Sequence, residues 1–335
     1  MTSAPPEPSV LDHHFLMRVF RAPDSCTREG AFHYVKAAHT YLTINEELAR
    51  EVRNEEGLLR TAVQGRKVIV HLFGPIGSGK TTMMYMLRQS TNGFCAPELP
   101  DTVDIFPHLR DGSEKYLRFL KRARDGIPAL LEGLYKESSR QVSAPAIQIR
   151  YLDTRKRIHD IFENCVEEGL CLTDGTPAND MFGYTPFFNT ADAQGRKNIR
   201  DDDLPIIRKD FTETFGSTFG EQPTALILID ASPEVAYAGV RLRDREVERH
   251  DESGGVSLEY LRAVDPHIKA VPERVSEWGY KGPILKLQRH TSDELNVPHN
   301  PEHYLRVLRT VREGIEKGLA WKEHESTHQG LEARV

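Results

Sequence analysis

Two stretches of the chain are apolar at almost every position: Lys67-Val68-Ile69-Val70-His71-Leu72-Phe73 and Thr224-Ala225-Leu226-Ile227-Leu228-Ile229-Asp230. Short unbroken apolar runs bounded by polar residues predict strands covered on both faces. Gly169-Leu170-Cys171-Leu172-Thr173 and Pro283-Ile284-Leu285-Lys286-Leu287 are weaker runs of the same kind. Between the strands the spacing is helical. Helices are predicted over 28–63, from Thr82 onward, over 113–125 and 128–140, from Ile147 to about Glu168, from Ser232 onward and over 301–319. Ser232 is the expected N-cap of its helix, with Pro233 at the first helical position. Residues 1–12 are rich in proline and polar side chains and predict disorder, 186–203 a polar mobile loop, and 322–335 a frayed polar tail. Strands alternating with helices predict an α/β fold, a parallel sheet with helices on both faces. The division expected is an N-terminal extension over 1–65, partly disordered and partly helical, one domain over 66–321, and the tail.

The first long strand runs into Gly74-Pro75-Ile76-Gly77-Ser78-Gly79-Lys80-Thr81, which fits G-x-x-x-x-G-K-[ST]. Glycines let the backbone turn tightly and bring N–H groups against phosphate oxygens. Lys80 offers a mobile positive charge to the β- and γ-phosphates, and Thr81 a hydroxyl to Mg²⁺. The following Thr82-Met83-Met84-Tyr85-Met86-Leu87 opens a helix whose N-terminus faces the phosphates. The chain is therefore read as a nucleoside triphosphate binder, with ATP and Mg²⁺ as cofactors.

Ligands of parallel sheets sit beyond the carboxyl ends of the strands. Glu98, Asp174 and Asp230 each follow a predicted strand and so join the P-loop along that edge. Glu98 is placed to accept a proton from an attacking hydroxyl; a solvated loop acid fits its position equally well. Gln148 and Arg155 are two helical turns apart on one face, and a side-chain amide both donates and accepts, as a base edge requires. Asp174-Gly175-Thr176-Pro177-Ala178-Asn179-Asp180 supplies Asp174 for Mg²⁺ through water and Asp180 for an amino group of a base, although Asp-Gly is also a common turn pair. Arg241, Arg245 and Arg249 share a helix face. They read either as a salt-bridged surface or as cations closing over phosphates.

These residues together resemble the deoxynucleoside kinase family, which includes deoxycytidine, deoxyguanosine and herpesvirus thymidine kinases. The similarity runs from about Val68 to Leu287. Residues 74–82, namely Gly74, Pro75, Ile76, Gly77, Ser78, Gly79, Lys80, Thr81 and Thr82, are close to the family's P-loop. Pro97-Glu98 stands at its Glu-Pro motif, although Leu99 follows Glu98 here. Tyr135, Gln148, Arg155 and Asp180 resemble its sugar- and base-contacting residues. The arginine cluster followed by Leu258-Glu259-Tyr260-Leu261 resembles its lid. The resemblance implies a P-loop kinase with a five-stranded parallel sheet flanked by helices and an arginine-rich lid, usually dimeric. It implies transfer of the γ-phosphate of ATP to the 5′-hydroxyl of a deoxynucleoside. Glu98 is then the base, Lys80, Arg241, Arg243 and Arg245 stabilise the transferring group, Thr81 and Asp174 hold the metal, and Glu248 or Glu252 meets the sugar. A deoxynucleoside with an exocyclic amino group, deoxycytidine or a purine, is expected over thymidine. The chain departs from the family where Asp174-Gly175-Thr176 stands for Glu-Arg-Ser: Gly175 cannot supply the arginine. A nucleoside monophosphate kinase and a nucleotide-binding module with weakened catalysis are the alternatives.

Composition narrows this only slightly. The 335 residues carry a net charge of −6, which disfavours non-specific nucleic-acid binding. No run of 18 apolar residues predicts a membrane span. Four cysteines without CxxC pairing predict reduced thiols and a cytoplasmic protein.

Overall fold

The computed structural model describes residues 46–91, 93–96, 114–135, 139–192, 195–215, 223–243, 255–289 and 301–332. Five strands form one parallel sheet: β1 (Lys67–Phe73), β2 (Phe94–Ala96), β3 (Gly169–Asp174), β4 (Ala225–Ala231) and β5 (Ile284–Arg289), in the order β2-β3-β1-β4-β5. The apolar runs account for the centre. β1, β3 and β4 are buried along almost their whole length, whereas β5 at the edge alternates with partly exposed positions. Register aligns Leu72 with Asp174 and Asp230 with Gln288, so the strands end together on one side. The sheet and its helical flanks are the fold expected from the sequence.

One face is covered by α1 (Glu46–Val63), α2 (Lys80–Thr91) and α11 (Pro301–Glu332). Helix α3 (Glu114–Arg124) joins the same core through Leu120. On the other side pack α4 (Ile127–Tyr135), α5 (Arg140–Cys165), α6 (Thr185–Asn189), α7 (Leu204–Phe215), α8 (Pro233–Arg243), α9 (Leu258–Lys269) and α10 (Val271–Glu277). That side's core centres on Phe73, Ile147, Phe182, Phe188, Phe211 and Leu228. Some of α5 also reaches the first core, through Ile158 and Phe162. Ser232 caps α8 as expected, accepting from the Val235 N–H at 3.3 Å.

Several boundaries differ from the sequence reading. The helix expected from Ile147 starts at Arg140 and carries Pro145 within it. Ser139 Oγ donates to the Gly133 carbonyl at 2.9 Å and Arg140 Nε to that of Leu134 at 2.8 Å. These bonds tie the new start to the end of α4, and packing on α3 and α4 offsets the hydrogen bond that Pro145 forfeits. Helix α6 occupies part of the expected loop, and Asn189 Nδ2 ties that region to the Ile199 carbonyl at 3.0 Å. The expected tail is helical to Glu332, because its Lys and Glu residues are good helix formers.

The described part of the N-terminal stretch includes α1, which packs on α2 and α11. Glu56 of α1 is fully buried, accepting from Ser90 Oγ and Tyr304 Oη at 3.0 Å each, and Glu55 pairs with Arg312. Residues 1–45 lie outside the described residues.

Candidate active site

The P-loop spans the gap between β1 and α2, as the glycine spacing requires. Gly79 has a φ of 89°, a left-handed conformation that favours glycine. Lys80 is the first residue of α2, and its Nζ donates to the Gly74 and Pro75 carbonyls at 3.2 and 2.9 Å. It lies 4.0 Å from Asp174 Oδ1. Because β3 pairs with β1, Asp174 at its tip faces the loop, and Thr81 Oγ1 donates to Asp174 Oδ2. The two residues expected at the metal are thus brought together. Asp174 Oδ1 is buried and accepts no hydrogen bond among the described residues. One hydroxyl and one carboxylate form a hard oxygen donor set that fits Mg²⁺, an ion that keeps several waters and takes substrate phosphates as further ligands. No group of three or more His, Cys, Asp or Glu side chains that could hold a metal ion occurs among the described residues.

The second half of the site starts just beyond β3. Residues Asn179–Tyr184 form a π-helical turn, a geometry frequent at functional sites. Asp180 lies in its first turn, buried, and Arg155 reaches it from α5: Arg155 Nε donates to Asp180 Oδ2 at 3.2 Å. Arg155 Nη1 donates to the Asp174 carbonyl at 2.8 Å, and the Tyr151 ring lies 5.5 Å from the guanidinium. Gln148, two turns earlier on α5, is 2% exposed, and its Oε1 has no partner among the described residues. An amide oxygen buried in this way costs about 1–3 kcal/mol unless something donates to it.

Gly175 explains how one guanidinium fits against both carboxylate-bearing segments. Its φ is 92°, and a Cβ there would lie 2.8 Å from Cζ of Arg155. The guanidinium fills the space a side chain at 175 would take. Behind it lies a cavity of about 20 Å³, lined by His71, His159, Thr173 and Gly175 among others. Burial, and then the nearby His159 and Arg155, push the His71 imidazole down to about 3. Burial also lowers His159, against its acidic neighbours Glu163 and Asp160.

The remaining expected residues divide three ways. Arg241 is exposed on α8. Thr82, Tyr135 and Arg243 are placed in α2, α4 and α8 by their backbone. Glu98, Arg245, Arg249, Glu248 and Glu252 lie outside the described residues. Asp230 is the last residue but one of β4, where Gln288 Nε2 donates to it at 2.7 Å and Lys269 lies 3.7 Å away. Sequence reasoning missed one residue at this edge altogether. Arg289, at the tip of β5, is 4% exposed and donates from Nη1 to the Ser78 carbonyl inside the P-loop. An arginine ending a weak edge strand reads as a solvated terminus. Only the sheet order and the loop's position reveal its partner.

Comparison with known proteins bears on the family of the chain. The profile described as Deoxynucleoside kinase matches residues 70–316. No curated protein matches the chain. Among solved structures, two of deoxyadenosine kinase from M. mycoides match with a TM-score of 0.44. The one with products dCMP and a flexible dCDP bound is 14% identical, over 72% of this chain and 97% of that one. The one with bound dATP is 15% identical, over 68% and 91%. Among the described residues no helix is long and apolar enough to cross a membrane. Cys95, Cys165 and Cys171 are buried.

Proposed function

The chain belongs to the deoxynucleoside kinase family, and on that premise we propose that it transfers the γ-phosphate of ATP to the 5′-hydroxyl of a deoxynucleoside carrying an exocyclic amino group. The observation that carries this reading is Arg155, whose guanidinium joins the Asp180 carboxylate to the backbone of Asp174, itself bonded to the P-loop threonine. In this reading a phosphate site and a buried polar site for a base lie side by side at the carboxyl edge of the sheet.

In this reading Glu98 takes the proton of the 5′-hydroxyl as its oxygen bonds to the γ-phosphorus. The bond from that phosphorus to the β,γ-bridging oxygen breaks, and ADP leaves. Lys80 and the arginines at 241, 243 and 245 offset the negative charge that spreads over the transferring group. Thr81 and Asp174 would hold Mg²⁺, which when bound neutralises phosphate charge. Gln148 reads the base edge, while Tyr135 and Glu248 hold the sugar. Asp180, as an ionised carboxylate, only accepts hydrogen bonds. It favours deoxycytidine or a purine, since thymine O4 would set acceptor against acceptor. A homodimer accords with the exposed apolar strip of α5, where Val142 is 76% exposed and Ile149, two turns on, is 38% exposed.

The test is phosphate transfer from labelled ATP to the four deoxynucleosides and their monophosphates, by wild type and by an Arg155→Met, Asp180→Ala double variant. Deoxycytidine or a purine deoxynucleoside is the expected best acceptor, and the double variant narrows its lead over thymidine by roughly ten- to hundredfold. Thymidine as the best wild-type acceptor, or an unchanged ranking in the double variant, overturns the base assignment. Transfer to monophosphates alone overturns the choice of acceptor.

A further inference from the structure

Arg289 belongs to none of the groups considered so far. The other cations assigned to the phosphates come from the P-loop or from α8 and the segment that follows it. Arg289 comes from the opposite end of the chain order, on the last strand, 211 residues from the carbonyl it meets. It is almost fully buried. A buried guanidinium carries a desolvation cost that only good hydrogen bonding offsets. Its position is also reserved for it. A Cβ at Gly79 would collide with Nη1 and lie 3.4 Å from Cζ, so the loop residue beneath it has to be a glycine.

The geometry points to Arg289 as the residue that sets the P-loop for ATP. It grips the peptide joining Ser78 to Gly79. In a trans peptide the C=O and N–H lie in one plane and point in opposite directions. With the Ser78 carbonyl fixed on Arg289, the Gly79 N–H is turned away from Arg289, and the peptide loses the freedom to flip. Glycine on both sides of Ser78 leaves this segment able to flip unless something holds it. A phosphate-binding loop works by presenting several N–H donors together, and a single reversed peptide replaces one donor with a repelling carbonyl. Arg289 is therefore a positioning residue for the triphosphate. Its positive charge also adds to the field that attracts that ligand.

This inference rests on the proposed use of ATP at the P-loop, and the experiment keeps the two separable. Affinity for a non-hydrolysable ATP analogue with Mg²⁺ is measured by calorimetry on wild type, Arg289→Met and Arg289→Lys, alongside KM for ATP and for the best deoxynucleoside. Arg289→Met is expected to weaken analogue binding tenfold or more and to raise KM for ATP in step. KM for the deoxynucleoside stays within twofold. Arg289→Lys, which keeps the charge and can still reach a carbonyl with one donor, recovers part of the loss. Unchanged analogue affinity in Arg289→Met, or equal rises in both KM values, overturns the proposal. Should the Met variant fail to fold, the Lys variant decides: a loss of threefold or more confined to the nucleotide supports the inference, and no loss or a parallel one overturns it. A wild type that binds the analogue but phosphorylates no deoxynucleoside defeats the proposed function and leaves the Arg289 comparison intact.

Discussion

Two buried arginines each lie on a glycine that has no room for a side chain, Arg289 on Gly79 at the phosphate end and Arg155 on Gly175 at the base end. Their tasks differ. Arg289 meets a backbone carbonyl within the loop. Arg155 divides its donors between a carbonyl and a carboxylate, so it connects two parts of the site. On the proposed function the phosphate end is a cradle for a group common to every nucleotide. On the same reading the base end is a charge pair whose acceptor, Asp180, prefers one base over another. Disturbing the first should cost rate or nucleotide affinity for all acceptors alike, and disturbing the second should cost discrimination.

The largest effect expected is at the cradle. Lys80→Ala removes the mobile charge over the β- and γ-phosphates and should lower turnover by two or more orders of magnitude, about 3 kcal/mol or more of transition-state stabilisation, equally for every deoxynucleoside. Steady-state kinetics on the acceptor panel check both the size and the uniformity. Near wild-type turnover would end the kinase reading. Glu98→Gln should likewise collapse kcat while leaving deoxynucleoside binding within several-fold.

The next effect sharpens the comparison. Gly175→Ala places a methyl group against the Arg155 guanidinium and strains a positive φ. Arg155 then moves off Asp180, and kcat/KM for the preferred deoxynucleoside should fall ten- to hundredfold with a smaller change for thymidine. KM for ATP should stay within about threefold, provided the two ends act separately. A comparable rise in KM for ATP would show that the ends are coupled through Asp174.

The smallest effect is on stability. Folded, His71 stays neutral until about pH 3, whereas in the unfolded chain it takes up a proton near 6.5. The unfolded state binds more protons throughout that window, so stability is retained above pH 6.5 and lost as the pH falls below it. The slope is at most about 1.4 kcal/mol per pH unit for one such group. Thermal melts from pH 7.5 to 4.5 should show a shallower acid limb in His71→Gln than in wild type. Identical limbs would remove His71 from the account.

The two ends were not equally legible in the sequence. The cradle could be read because its chemistry is local: glycine spacing, lysine and threonine lie within eight residues after an apolar strand. Gln148, Arg155 and Asp180 could be named from helical spacing and family resemblance. That Arg155 also holds the end of β3 depends on the strand pairing. Gly175 could be noted as a departure from the family, but not as the space that admits Arg155. Arg289 and the buried acids of α1 were invisible for one reason. Each is a charged residue with a partner more than 200 residues away in the chain, and local patterning reads such a residue as solvated.

The junction around Glu56 bears on how the chain is made. Its partner Tyr304 is 248 residues downstream, on the helix that ends the described fold. At about 5–20 residues per second, a ribosome delivers that helix some 12–50 seconds after α1 has emerged. Throughout that interval the carboxylate has Ser90 but not Tyr304 to donate to it, and the apolar side of α1 lacks its final cover. The domain therefore closes late, by joining its first described helix to its last, and a nascent chain arrested before Pro301 is a natural client for a chaperone.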